Sequence, residues 1–404
     1  MPEQSQGPQA RRSVRALGGV AFAAFALAGC ELVPSPQVQT AAPPVEPEQP
    51  RPEPQARPDV PRPALPRDEA RNRVAVLVPL TGSNAGVGQS LANAANLALL
   101  DTGGERIRIT IYDTAKGGAA AAANEALAQG NGLILGPLLS EDVRDVAPIA
   151  RRADVPVVSF SNDVSVAGNG VYLMGFTPSQ AVGRVVSYAR SQGVDRFGAL
   201  APSGVYGSRA GQAMIDSVQR AGGRMVGMQT FERGAAGIRA AVSRLNVQGS
   251  YDAVLIADSG RNATLVAPVV RSGPGAGARL LGTELWATEA DLGRTAALRG
   301  AWYASVSDAM FNQFQERYRA RFGANPYRLA SLGYDSVLLA VRVAGDWQIG
   351  RPFPVRALRD SAGFEGVDGA FRFGANGIAE RALEVREVTA GGYRTVSPAP
   401  RGFD

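Results

Sequence analysis

Short apolar runs alternate with longer amphipathic stretches from Arg73 onward. Residues 73–80, RVAVLVPL, are a Val/Leu run closed by Pro79 and a Thr-Gly turn, the pattern of a strand buried on both faces of a parallel sheet. Residues 87–100 place Leu91, Ala94, Ala95, Ala98 and Leu99 at helical spacing. IRITIYD, residues 107–113, alternates strictly and predicts a strand with one less buried face. A helix over 119–129, a strand over 132–136, a helix over 140–152 and a strand over 155–160 continue the rhythm. It then restarts with helices over 179–192, 208–222 and 237–247 and strands over 196–202, 224–231 and 251–258, followed by a strand ending at Trp286. Helices over 308–322 and 328–344 follow, and the end reads as a hairpin with its turn at 375–377. Two βα units of this kind predict an α/β fold with parallel sheets in two lobes, the chain crossing between them more than once.

The first 72 residues have a different character. Arg11, Arg12 and Arg15 precede an apolar run, Ala16 to Ala28, too short to span a bilayer. This is the pattern of a secretory signal over residues 1–29. Arg15 stands where a twin-arginine signal prefers an apolar residue, which favours the general secretory route. Leu27-Ala28-Gly29-Cys30 resembles the bacterial lipobox, which implies that Cys30, the sole cysteine, is acylated. Acyl chains stabilise a membrane anchor by about 0.8 kcal/mol per buried CH₂. From Pro34 to Pro66 about every third residue is proline, so residues 30–72 read as an extended tether. At ~3.1 Å per residue its reach is on the order of 100 Å.

Composition then narrows the chemistry. The chain has no histidine, which excludes imidazole-based nucleophilic systems and HExxH zinc sites. A lipidated Cys30 leaves no thiol for catalysis, metal binding or disulfides. Lys116 is the one lysine, and it lies in a glycine-rich turn without SxxK spacing. The reading is non-enzymatic, with no cofactor and no metal. The +6 net charge is scattered, without aromatic interleaving, and reads as solvated surface rather than a nucleic-acid site. Gly86-Val87-Gly88 with Asp113 imitates a dinucleotide fingerprint, but no third glycine follows at the required distance. Phe311, Phe314, Tyr318 and Phe322 share one helical face and read as packing against a sheet.

The segments VAVLVPLTGSNAGVGQSLANAANLAL, ILGPLLSEDVRDVAPIARRADVPVVSFSND, YGSRAGQAMIDSVQRAGG and LASLGYDSVLLA, in this order, resemble the type I periplasmic binding proteins of the leucine/isoleucine/valine-binding kind. The resemblance implies two Rossmann-like lobes joined by three crossovers, over residues 73–404. Lobe 1 is expected over about 73–175 and 302–360, and lobe 2 over about 176–301 and 361–396. It also implies a cleft at Ser140, Ser161, Asn162, Asp163, Tyr206 and Glu284. Ser140 matches a carboxylate-binding hydroxyl, Tyr206 the tyrosine of a YG loop and Glu284 the ammonium-binding acid. Asp163 replaces a threonine, and its charge would oppose a ligand carboxylate unless protonated or paired. A second aromatic clamp is missing near Ser259 and Gly260. These departures predict that leucine, isoleucine and valine do not bind.

Lipobox, tether and ILGPL loop look most like the outer-membrane lipoproteins that activate penicillin-binding proteins, although their helical-repeat N-terminal domain is absent. That resemblance implies a class A peptidoglycan synthase as partner and regulation by protein contact, from the outer membrane facing the periplasm. The alternative is a substrate-binding lipoprotein that passes an amino acid or related small polar solute to an ABC permease.

Overall fold

The Val/Leu run becomes strand β1 (Asn72–Val78), in which Val74 to Val78 are wholly buried. The computed structural model describes residues 70–289 and 291–403. The expected signal, Cys30 and nearly all of the tether lie outside these residues. From β1 the chain runs through α1 (Ala85–Thr102), β2 (Ile107–Asp113), α2 (Ala119–Ala128), β3 (Leu133–Leu135), α3 (Ser140–Arg152), β4 (Val157–Ser159) and β5 (Val171–Leu173). These strands form one parallel sheet in the order β2-β1-β3-β4-β5. Short apolar strands and helix-bearing crossovers of this kind favour parallel pairing with helices on both faces.

The second lobe repeats the theme with α4 (Pro178–Ser191), β6 (Arg196–Pro202), α5 (Val205–Arg220), β7 (Arg224–Phe231), α6 (Ala235–Gln248), β8 (Ala253–Ile256), α7 (Gly260–Arg271), β9 (Arg279–Gly282) and β10 (Trp302–Ser305). The chain then returns to the first lobe as α8 (Asp308–Phe322) and α9 (Ala330–Val343). The small antiparallel sheet β11 (Phe364–Gly366), β12 (Gly369–Phe373) and β13 (Ala379–Arg381) follows. Finally β14 (Glu384–Thr389) and β15 (Gly392–Ser397) complete the seven-stranded sheet β15-β14-β10-β9-β8-β6-β7, β14 running antiparallel to β10. Helix α8 shows local signals agreeing with the fold. Ser307 caps its first turn, Asp308 opens it, Arg319 and Arg321 lie near its end, and Gly323 closes it in a left-handed conformation (φ 72°).

Several expectations need correction. Trp302–Ser305 pairs with β9 and β14, so it belongs to the second lobe rather than the first. Conversely, Phe364, Phe371 and Phe373 pack into the first-lobe core with Phe314 and Tyr334, so the stretch from 361 to Arg381 is first-lobe. The expected hairpin turn lies between β12 and β13, but the run splits at Ala382, after which β14 leaves for the other sheet. The strand expected to end at Trp286 stops at Gly282, because the indole folds back over that glycine and a Cβ there would lie 2.2 Å from the ring. Glu284–Thr288 is a 3₁₀ turn. The α8 aromatics face Tyr334 of α9, and Tyr318 accepts a hydrogen bond from Asn93 of α1, so they pack on helices.

The chain crosses between the lobes near residues 174–177, 306–307 and 382–383, and at each crossing an arginine holds a backbone carbonyl. Arg381 Nη2 donates to Met174 O at 2.7 Å, Arg386 Nη2 to Val306 O at 2.8 Å, and Arg184 Nε to Leu383 O at 2.9 Å.

Candidate functional site

The loops at the carboxyl ends of β3, β4 and β9 meet the starts of α1, α4 and α9 around a cavity of about 500 Å³. This is where open α/β sheets bind ligands, because loops leave the strand ends there while helices begin. Its first-lobe wall includes Leu138, Phe160, Asn162, Arg328 and Leu329. Gln180, Glu284, Leu285, Ser305 and Val306 supply the second-lobe wall, and Phe176, Arg381 and Leu383 lie by the crossovers. The walls are mostly apolar, with a few convergent polar groups.

Of the residues implied by the family resemblance, Asn162 and Glu284 line this cavity. Ser140 does not; its hydroxyl lies between Glu141 and Arg144 at the start of α3. Ser161 is buried and its Oγ accepts the Asp163 amide at 3.1 Å, which shapes the loop after β4. Asp163 is tied down on both oxygens. Oδ1 accepts the amide and hydroxyl of Ser165 and lies 2.7 Å from Arg209 Nη2, while Oδ2 lies 2.9 Å from Arg144 Nη2. Burial would raise its pKa, but the Ser165 bonds and the Arg209 guanidinium outweigh that and hold it at about 2. The carboxylate is therefore ionised and paired, which removes the expected charge conflict with a ligand. Arg209 belongs to α5 of the second lobe and Asp163 to the first, so this ion pair spans the cleft.

Tyr206 stands in the first turn of α5, which begins at Val205 rather than at Ser208. Its hydroxyl donates to Glu284 Oε1 at 3.0 Å and lies 2.9 Å from Thr283 Oγ1. It supports Glu284 from behind and is not part of the cavity wall. Burial pushes the Glu284 carboxyl up to about 7, against the opposing bonds from its own amide and Tyr206. Burial and the nearby Glu284 likewise raise the Tyr206 phenol.

Sequence reasoning did not single out the charged group beside the crossovers. Arg328 Nη1 lies 2.6 Å from Asp368 Oδ1, and its guanidinium sits 3.9 Å from the centre of the Phe311 ring. Asp335, wholly buried in the middle of α9, accepts the Val367 amide at 2.7 Å. Its carboxyl is pushed up by burial and by Asp368, against the pull of Arg381. Arg381 is 7% exposed and lies over Phe176 and Phe371. An acid inside the apolar helix ASLGYDSVLLAVRV was the available signal, since a buried carboxyl requires donors or a cation nearby. Among the described residues no cluster of acidic side chains could hold a metal ion, and no helix is long and apolar enough to cross a membrane.

The glycines that imitate a nucleotide fingerprint have a packing role. A Cβ on Gly88 would lie 1.8 Å from Pro79 O, so this glycine lets α1 approach the end of β1.

Comparison with known proteins agrees with this architecture. A periplasmic binding protein family model matches residues 72–393. A Rhodospirillum rubrum structure described as a branched-chain amino acid ABC transporter superposes with a TM-score of 0.72 at 20% identity, covering 81% of this chain and 100% of that one. An ABC transporter substrate-binding protein from Desulfitobacterium hafniense in complex with Leu gives 0.61 at 19% identity, with 81% and 100% covered. A Rhodopseudomonas palustris solute-binding protein in complex with 3,4-dihydroxybenzoic acid gives 0.60 at 19%, with 83% and 98% covered. An uncharacterised protein of Rickettsia prowazekii is 24% identical over 217 residues, 51% of this chain and 58% of that protein. At these identities the structures establish the shared fold, while the family model spans most of the chain. With two lobes of parallel sheet, crossovers at their junction and an apolar cleft between them, this chain belongs to the periplasmic binding protein family.

Proposed function

We propose that this chain is a non-enzymatic solute receptor acting outside the cytoplasm, whose lobes close on a small molecule for delivery to an ABC permease. The observation that carries this reading is the cleft itself. It is a mostly apolar cavity of about 500 Å³, lined from both lobes and holding one buried acid, Glu284. Its structural neighbours include substrate-binding proteins described with Leu and with an aromatic acid.

A second reading, contact activation of a penicillin-binding protein by a lipid-anchored chain, draws on the lipobox-like segment at Cys30, the proline-rich stretch and the Asp163–Arg209 pair. That pair ties the lobes together through side chains of the chain itself, as a protein acting by contact alone would need.

One experiment separates the two. A ligand at a hundredfold excess over its Kd stabilises the folded state by about 2.7 kcal/mol, a melting shift of a few degrees. The first reading expects at least one compound in a panel of small organic acids, amino acids and their amides to shift the melting temperature of the full chain. It also expects Glu284→Ala to alter the response. No shift across the panel, with a peptidoglycan synthase co-purifying from the native envelope, would establish the second.

A further inference from the structure

A parallel sheet has two ends, and the cleft uses the carboxyl one. At the other end of the first lobe the strands begin and the helices finish. There Asn72, which opens β1, donates from Nδ2 to Trp347 O at 2.8 Å. Arg106, just before β2, donates from Nη1 to Gly345 O at 2.8 Å. The Trp347 indole covers Gly132, just before β3, and donates to Arg351 O at 2.8 Å. The chain then continues past the starts of β4 and β5. Val355 and Arg359 share a hollow of about 320 Å³ there with Arg151, Val155 and Asn169. These segments form one face, at the end of the lobe opposite the cleft.

The charge of this face is unbalanced. Arg106, Arg151, Arg152, Arg351, Arg356 and Arg359 are exposed, and none forms an ion pair among the described residues. Glu105, Asp154 and Asp346 are the exposed acids beside them, and Asp360 faces Arg342 at 3.5 Å. The partial negative charge at the end of α3 accounts for Arg151 and Arg152. Arg351 lies in no helix, and Arg356 and Arg359 lie in a single 3₁₀ turn. In the second lobe the arginines around the strand starts are paired, Arg196 with Asp252 at 2.6 Å and Arg190 with Asp195 at 2.9 Å.

Apolar side chains stand among these cations: Ile349 is 53% exposed and Val355 36%. Aliphatic groups mixed with arginine suit the interfacial layer of a bilayer, where the first enter the acyl boundary and the second meet headgroup phosphates. The preceding 69 residues join the described chain at Ala70, two positions before β1 begins on this face. We propose that the face seats on an anionic phospholipid surface, with Arg351, Arg356 and Arg359 toward the phosphates and Ile349 and Val355 at the acyl boundary. The inference does not depend on what the cleft holds, and the cleft stays clear of the lipid.

The test is tryptophan quenching of the full chain by brominated lipid, in phosphatidylcholine vesicles with and without about 30% phosphatidylglycerol. Trp347 is the tryptophan at this face; Trp286 and Trp302 lie in the second lobe. Quenching is expected with the anionic vesicles and not with phosphatidylcholine alone, and should fade from 0.1 M to 1 M salt. An arginine near such a surface is worth about fivefold in affinity, so Arg356→Gln with Arg359→Gln should weaken seating about twentyfold and remove most of the quenching. Arg239→Gln with Arg261→Gln removes the same charge from exposed positions of the second lobe and should leave quenching unchanged. Ile349→Gln should weaken seating several-fold. The basic and apolar residues 11–28 are common to every variant, so the comparison isolates this face. Quenching that ignores phosphatidylglycerol, survives the Arg356 and Arg359 changes, or falls equally in both double variants overturns the proposal. Equal capture by soluble polyglutamate, unaffected by Ile349→Gln, assigns the face to a dissolved polyanion and overturns it too.

Discussion

At the scale of single residues, Glu284 and Asp163 are carboxyls moved in opposite directions, and the surroundings explain each. Glu284 is buried beside a phenol and rises to about 7, whereas Asp163 has two guanidiniums and falls to about 2. A carboxyl with a raised folded pKa binds more protons folded than unfolded, so its contribution to stability is lost as pH climbs between the two values. Stability should therefore decline from pH 4.5 to about 7, the unfolded and folded values for Glu284. Glu284→Gln is expected to flatten that decline in melting temperature, and an unchanged profile would place the titration elsewhere, Asp335 being the other candidate. Resemblance to a family was enough to bring Asn162 and Glu284 to the cleft. It misjudged Asp163 because the deciding partner, Arg209, is supplied by the other lobe, and no local pattern announces such a pairing. Arg381 was illegible for a related reason: in the strand Ala379–Arg381, alternation separates faces but does not show which face adjoins a cleft.

At the scale of elements, periodicity located most of the helices and strands of the two units because core burial and local period coincide. The 107–113, 140–152, 196–202, 224–231 and 308–322 segments have the expected bounds. The elements not foreseen, including β5, β10 and β15, are three to six residues long, and α7 follows directly on a strand. Segments so short contain too little alternation to be read alone. Their lobe membership depends on pairing with distant strands, which is why β10 and the β11–β13 sheet were expected on the wrong sides. Glycine supplies the tightest joints. A Cβ at Gly207 would lie 1.8 Å from Pro202 O, where α5 meets the end of β6. Gly207→Ala must push α5 away, with an expected loss of about 1–3 kcal/mol in chemical denaturation. Because Tyr206 is its neighbour, the same change should also disturb the support of Glu284. A stability within about 0.5 kcal/mol of the parent would show that the joint relaxes freely.

At the scale of the whole molecule, the arginines on the crossovers couple the hinge to the interiors of both lobes. Arg386 is the clearest case: it is fully buried, pairs with Glu384 at 2.6 Å and Asp308 at 2.8 Å, and holds Val306 O. The Asp163–Arg209 pair instead bridges the two lobes beside Asn162 of the cavity wall, with Arg209 30% exposed and within reach of dissolved ions, so that it has to part for the mouth of the cleft to open. A fastening of that sort influences time as well as equilibrium. A bound molecule leaves when the mouth parts, and parting separates opposite charges, so residence should shorten as ions screen their attraction. The Debye length falls from about 10 Å at 0.1 M salt to about 3 Å at 1 M. Stopped-flow measurement of ligand release is expected to show dissociation accelerating over that range, and Arg209→Gln should raise the low-salt rate and blunt its dependence on salt. The mouth would then work as an ionic clock, its dwell time set by the salinity of the fluid around the protein.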